Sequence, residues 1–391
     1  MRILIVAAAL PPAIDGIGDY AATLARALAG RATVAVAADR ERPCASIEGV
    51  EILPAFDLRS PRGVETLPGV VAGWRPDWTI LQYNPFSWGR RGFNPYLPMA
   101  MERIRRAGTT RIGLMVHERY VPLTTAKYLA MSLWQRPQYR LLVRGSDVLF
   151  CSTEPWMPEL RALAPGRSIH LAPAGSGIPR VEIPRSEARQ RLGIPEGTFV
   201  AGFFGFAHAS KPLGHVASAC QAIAATGRDV RLLYIGLQPD IVRAAVPGME
   251  VIADGSLPAM EVSRRFAAMD LLLCPFVDGV STRRTTLMTG LQHGIPTLGT
   301  VGEYTSPALA AEDDRSMRLV PCTDVHAFAS AAVQLAESEV DRERIGAAGL
   351  RLFEADFAPD VLAQRVVDAL RNANSRTPHP LGGGADQNTG G

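Results

Sequence analysis

The densest run of chemically useful side chains lies between Cys274 and Pro296 and reads CPFVDGVSTRRTTLMTGLQHGIP. An apolar strand pattern ends at Pro275, a polar loop follows, and a helical pattern begins near Thr285. A helix N-terminus presents free N–H groups and the positive end of the helix dipole, which suits an anion. Arg283 and Arg284, with the hydroxyls of Ser281, Thr285, Thr286 and Thr289, surround that point. Such a set fits a diphosphate, with Asp278 available for sugar hydroxyls. A surface arginine pair capping a helix is the alternative reading. A second anion pattern follows residues 200–204, where Gly205 leads through Phe206 to Lys211 and a helix starts near Gly214. Its spacing is not that of a P-loop, so an ATPase of that type is not supported. In the N-terminal half, Gly16 and Gly18 precede a helix and let the backbone approach a phosphate or sugar. His117 ends an apolar strand pattern, where an imidazole can bond a sugar hydroxyl, handle a proton, or merely cap the next segment.

These residues need a scaffold that gathers strand ends. Strand patterns at 2–9, 33–38, 78–83, 111–116, 148–151 and 169–172 alternate with helical patterns at 20–28, 98–106 and 125–144. A Pro- and Gly-rich stretch at 173–185 reads as a linker. The pattern restarts with strands at 200–204, 231–235, 271–275 and 297–299, and with helices at 214–225, 259–269, 285–292, 324–336 and 361–371. Such alternation predicts parallel βαβ units, whose ligands bind beyond the carboxyl ends of the strands. The expected class is α/β, with two doubly wound, Rossmann-like domains facing each other across a cleft. Their expected bounds are 1–178 and 179–358, with a helix at 359–373 packing back on the first and a disordered tail at 374–391. The 391-residue length suits two such cores. Gly16-x-Gly18-x-x-Ala21, with Asp39 further on, imitates a dinucleotide fingerprint. Leu10, Pro11 and Pro12 separate it from the strand, so NAD is not expected.

Taken in order, these segments resemble the family 4 glycosyltransferases, retaining enzymes of the GT-B fold. The likeness rests on Gly16-Ile-Gly18, on Val116-His117-Glu118, and on the PAGSGIP run from Pro173 to Pro179. It continues through Gly205 to Lys211 and from Asp278 to Thr300. The resemblance implies transfer of a hexosyl group from a UDP- or GDP-linked sugar, with retention and no obligate metal, to a glycan, glycolipid or small-molecule acceptor. Lys211 and Arg284 would stabilise the leaving diphosphate, and His117 would meet the sugar from the opposing domain. The family carries a pair of acids near the last segment. Thr289 stands at the second position, and Asp278 or Ser281 best matches the first. Phe206 stands where the family has an arginine. These departures motivate the alternative of a catalytically silent GT-B homologue that acts as a binding or scaffold partner. An epimerase on the same fold would need a glutamate and histidine set that has no place here.

Composition narrows the classes further. Hydrophobic residues make up 47% and charged residues 20%, as in a globular protein. The five cysteines are scattered, with no CxxC pair, so reduced thiols, a cytoplasmic setting and no zinc site are expected. The opening MRILIVAAAL reads as a buried strand rather than a signal peptide, because little charge precedes it and Pro11-Pro12 ends it. Residues 1–180 hold 22 Lys and Arg against 14 Asp and Glu, whereas the remainder is acidic. The aromatic and arginine-rich stretch 82–96 suits an anionic or lipid-diphosphate acceptor, and with it a peripheral contact at the inner face of a membrane; a buried aromatic loop with solvent-facing arginines is the alternative reading. A nucleic-acid partner is not expected.

Overall fold

The computed structural model of the chain describes residues 1–375. Seven strands form the first sheet: β1 (Arg2–Val6), β2 (Thr33–Asp39), β3 (Val50–Phe56), β4 (Trp78–Tyr83), β5 (Arg111–Val116), β6 (Val148–Cys151) and β7 (Ser168–Leu171). Six form the second: β8 (Phe199–Phe204), β9 (Val230–Ile235), β10 (Glu250–Ala253), β11 (Leu271–Cys274), β12 (Thr297–Val301) and β13 (Arg318–Pro321). The orders are β3-β2-β1-β4-β5-β6-β7 and β10-β9-β8-β11-β12-β13, with every strand pair parallel.

Parallel strands covered on both faces must be apolar throughout. In β1, Leu4 and Val6 enter the core on one face, while Ile3 and Ile5 enter the core on the other. That accounts for the unbroken ILIV run. Seven helices matter for the site and its surroundings: α1 (Gly16–Ala29), α2 (Tyr96–Ala107), α3 (Ala126–Arg144), α4 (Leu213–Ala225), α5 (Thr285–Gln292), α6 (Glu339–Asp356) and α7 (Pro359–Ser375). The last of these leaves the second sheet and returns to the first. Leu362, Val366 and Leu370 of α7 share a core with Ala21, Leu24 and Leu28 of α1, and Arg31 pairs with Asp360 at 3.0 Å.

Three strands and one long helix go beyond the sequence reading: β3, β10, β13 and α6. Two further expectations change. Asn374 and Ser375 belong to α7, and the rest of the expected tail, 376–391, lies outside the described residues. The stretch read as a linker is no loose connector in its first half. Pro173, Ala174 and Ser176 are buried, and the Ala174 N–H donates to the Thr282 carbonyl at 2.7 Å. Among the described residues no helix is long and apolar enough to cross a membrane.

Candidate active site

In a doubly wound sheet, the first strand and its neighbour across the reversal of order send their following helices to opposite faces, leaving a crevice at their carboxyl ends. Here the crevices lie at β1/β4 and at β8/β11, and they open toward each other. A cavity of about 870 Å³ lies between the sheets, lined by Gly16 and Asp19 from one side and by Gly205, Lys211 and the 283–286 turn from the other. A smaller cavity of about 100 Å³ continues from it, lined by Asp19, Tyr20, Ser176, Thr285 and Thr289.

Lys211 lies at the floor of the second domain's side. Its ammonium donates to the Phe204 carbonyl at 2.6 Å and to Thr286 Oγ1 at 2.9 Å. It also stands 5.5 Å from the Phe276 ring centre. No carboxylate pairs with it among the described residues. Burial, the largest cause, and the positive charge of Arg284 push its pKa down to about 8, partly offset by Cys274. Gly205 has φ +94°, and a Cβ there would lie 2.5 Å from the Lys211 nitrogen. The loop therefore needs glycine both for its conformation and for the space that the ammonium fills.

Thr285 opens α5, whose N-terminus receives no side-chain cap. Arg284 precedes it and donates to both oxygens of Asp278 at 2.6 and 2.7 Å, with its guanidinium 4.2 Å from the Phe276 ring centre. Arg283 bridges the domains, donating to Glu118 at 2.7 Å and to Asp278 at 2.7 Å. Two arginines thus meet two carboxylates, and Lys211 supplies the uncompensated charge. The Nε atoms of both arginines are buried and find no acceptor, so each guanidinium keeps a donor unspent. Burial, ahead of the repulsion from Arg283, holds the Arg284 pKa below its ordinary value.

The remaining expected residues are placed as follows. Gly16, Gly205, Lys211, Arg283, Arg284, Thr285 and Thr286 line the large cavity together, and Thr289 lines the small one. Thr289 is buried, meets Ser176 Oγ at 3.1 Å and donates to the Thr285 carbonyl at 2.8 Å. Gly18 lines neither cavity. It is a packing position, where a Cβ would lie 2.8 Å from the Ala9 carbonyl oxygen. Ser281 is fully buried with an unpartnered hydroxyl and also lines neither. Asp278 stands behind the arginines, and both its oxygens are spent on them. A role on sugar hydroxyls would require those bonds to break. His117 is held by Gln82 Oε1 at 2.7 Å and by the edge of Tyr20, with ring centres 4.7 Å apart. It too is absent from both cavity walls, and burial pushes its pKa down to about 3. The imidazole is therefore neutral at any ordinary pH.

The sequence reading passed over Asp19, which lines both cavities. Burial, then the charge of Asp15, raises its carboxyl to about 6. An acidic residue in the first turn of a helix is so common a helix-stabilising feature that it drew no attention. Only the fold shows that it is covered: Gly177, whose added Cβ would lie 3.1 Å from the Asp19 Cβ, closes over it, and Phe204, Thr285 and Thr289 of the second domain line the same small cavity. Among the described residues no group of three or more His, Cys, Asp or Glu could hold a metal ion.

No protein-family model and no curated protein sequence matches the chain. Solved structures do. Sucrose-phosphate synthase from Thermosynechococcus elongatus aligns with a TM-score of 0.74 at 15% identity, over 96% of this chain and all of that one. HepE from Anabaena, solved with UDP and glucose, aligns with a TM-score of 0.65 at 15% identity, over 95% of this chain and all of that one. WaaG, a glycosyltransferase of lipopolysaccharide biosynthesis, gives 0.65 at 14% over 94% of this chain and 99% of that one. The two parallel-sheet domains are therefore those of the GT-B fold.

Proposed function

We propose that the chain is a glycosyltransferase that moves a hexosyl group from a UDP- or GDP-linked sugar to a glycan, glycolipid or small-molecule acceptor, with retention. The observation that carries this reading is an ammonium without a carboxylate partner beside an uncapped helix N-terminus, in the cleft between two doubly wound sheets. UDP and glucose bound to HepE, a protein of the same fold, support a nucleotide sugar as the donor.

As the bond from the anomeric carbon to the diphosphate breaks, negative charge builds on the leaving oxygen. Lys211, itself largely buried, and the N–H groups of Thr285 and Thr286 are set to receive it. The buried Nε donors of Arg283 and Arg284 add to this. Asp278 holds both guanidinium groups in position and so acts through them. His117, being neutral, contributes a hydrogen bond rather than charge. Thr289 offers a hydroxyl where a carboxylate would grip a ribose more firmly, which shifts the weight of donor binding to the diphosphate. Phe206, 56% exposed on the cavity wall, offers an aromatic face to a base or sugar ring.

Incubating the protein with a panel of UDP- and GDP-sugars tests the reading. Slow donor hydrolysis by the wild type, greatly reduced in Lys211→Met, is the expected result, and the anomer first released reports the stereochemistry. Binding of a nucleoside diphosphate with no turnover of any donor, in the presence or absence of acceptors, would favour a silent homologue. The pairing of both arginines with carboxylates is the observation on that side.

A further inference from the structure

Helix α3 is apolar on more than one side. Its buried face sets Ser132, Gln135 and Gln138 among Met131, Tyr139, Leu142 and Val143, whereas Leu129, Leu133 and Leu141 are 55%, 72% and 60% exposed. The spacing of these leucines, four and then eight residues, places them in one stripe along the helix. The inward polar groups have a definite task. Gln135 donates to the Arg91 carbonyl at 2.9 Å, Gln138 donates to the Gly92 carbonyl at 3.0 Å, and Gln138 Oε1 accepts from the Asn94 N–H at 2.7 Å. These bonds tie the loop after β4 to the helix and present Phe93, 48% exposed, beside Trp134, with ring centres 6.0 Å apart. Met99 of α2 is 49% exposed across a groove of about 850 Å³ that runs between α2 and α3. Scattered single apolar residues on a surface need no explanation, but a continuous apolar stripe beside an apolar groove does.

The charge around this face is one-sided. Residues 84–146 contain eleven Lys and Arg but only two acids, Glu102 and Glu118. Glu102 is taken by Arg105 and Arg106, and Glu118 by Arg283. Arg90, Arg91, Lys127, Arg140 and Arg144 are exposed and have no ion-pair partner among the described residues. Apolar side chains that project outward among unpaired cations match the interface of an anionic bilayer, which takes the leucines at the acyl boundary and the arginines at the headgroups. A second copy of the chain would set the same cations against each other.

We propose that this face, formed by α3, the loop after β4 and the exposed edge of α2, docks the protein on an anionic lipid surface. The loops after β4 and β5 that border it lie at the carboxyl ends of the strands, on the side that faces the cleft. The attached molecule thus holds the cleft mouth near the membrane, within reach of an acceptor carried in the bilayer. The proposal stands apart from the transferase reading, since lipid binding needs no donor.

The test is co-sedimentation of the full chain with vesicles of phosphatidylcholine, alone or mixed with phosphatidylglycerol. Binding to the mixed vesicles, weakened by added salt, is expected. Leu133→Asp with Leu141→Asp should abolish it, and Arg140→Gln with Arg144→Gln should weaken it by about fivefold per arginine removed. All four positions are exposed, so the variants should keep the wild-type circular dichroism spectrum and nucleotide affinity. Equal binding to neutral vesicles, or no vesicle binding by the folded wild type, would overturn the proposal. So would a concentration-dependent dimer that Leu133→Asp dissociates, because the face would then belong to a second copy.

Discussion

At the scale of single residues, the site turns on one ammonium group. Lys211 is held near Phe204 O and Thr286 Oγ1 without a countercharge, and its pKa lies near 8 rather than its ordinary 10.5. Lys211→Met keeps most of the volume and removes the charge. The loss at a transition state that carries a leaving diphosphate is ~2–4 kcal/mol, so turnover should fall by roughly thirtyfold or more while thermal stability holds or rises. The same group sets a pH dependence. A bound diphosphate favours the charged amine, so affinity should be full below pH 8 and decline as pH rises through about 8. The depressed pKa also implies that the folded state becomes relatively more stable between about 8 and 10.5, where only the unfolded chain still carries that proton. Titrations at several pH values check the first effect, and thermal melts of wild type against Lys211→Met check the second. Asp19 behaves in the opposite sense. With its carboxyl raised to about 6, the folded state loses stability as pH climbs from the ordinary 3.8 through 6. Asp19→Asn should therefore melt higher than the wild type at neutral pH and should abolish that part of the pH dependence. An unchanged melting profile would place Asp19 in water rather than under the second domain.

At the scale of elements, the loops do their work through strand ends and helix starts. Gly205 shows how tightly this is set. An alanine would meet both a left-handed φ and the Lys211 nitrogen, so Gly205→Ala should cost about 1–3 kcal/mol in stability and should lower diphosphate affinity together with it. Urea unfolding and nucleotide titration of the same variant read both. The elements that carry the site were legible in the sequence because they are central. β1, β4, β8 and β11 are buried on both faces and read as apolar runs, broken only in β4 by Thr79 and Gln82. β3, β10 and β13 were not legible, and all three are outer edges of their sheets. An edge strand has one partner and is half-covered. VEILPAF, EVIA and RLVP each carry a charge, and two of them a proline, so the apolar run is short or broken. Helix α6 escaped for another reason. Part of its buried face is glycine rather than a large apolar residue, and a Cβ on Gly346 would lie 2.3 Å from the Gly294 carbonyl oxygen. Close backbone contact leaves no hydrophobic period to read. Helix α3 was legible as a helix, but its buried face was not, since Gln135 and Gln138 join Tyr139 and Leu142 there to hold the loop after β4.

At the scale of the whole molecule, two sheets that share the order of their first six strands face each other, and the segment from Asp278 to Arg284 makes several of the contacts between them. Thr282 Oγ1 donates to the Ser152 carbonyl at 2.6 Å, its own carbonyl accepts from Ala174, and Arg283 reaches Glu118. Such partnerships between distant segments could not be read from spacing. The sequence showed which residue types stood near the phosphate pocket but not that Asp278 would be spent on two arginines. It also did not reveal that Ser281 would be sealed in the core. The central claim is that the cleft grips the diphosphate of a nucleotide through Lys211 and the α5 N-terminus, with little help from the ribose. Calorimetric titration of wild type and Lys211→Met with UDP and GDP, and with uridine and guanosine, tests this most directly. The account predicts that one of the diphosphates binds the wild type far more tightly than its nucleoside does, and that most of this difference is lost in Lys211→Met. Equal affinity for nucleoside and diphosphate, or a diphosphate affinity that Lys211→Met leaves intact, would contradict it.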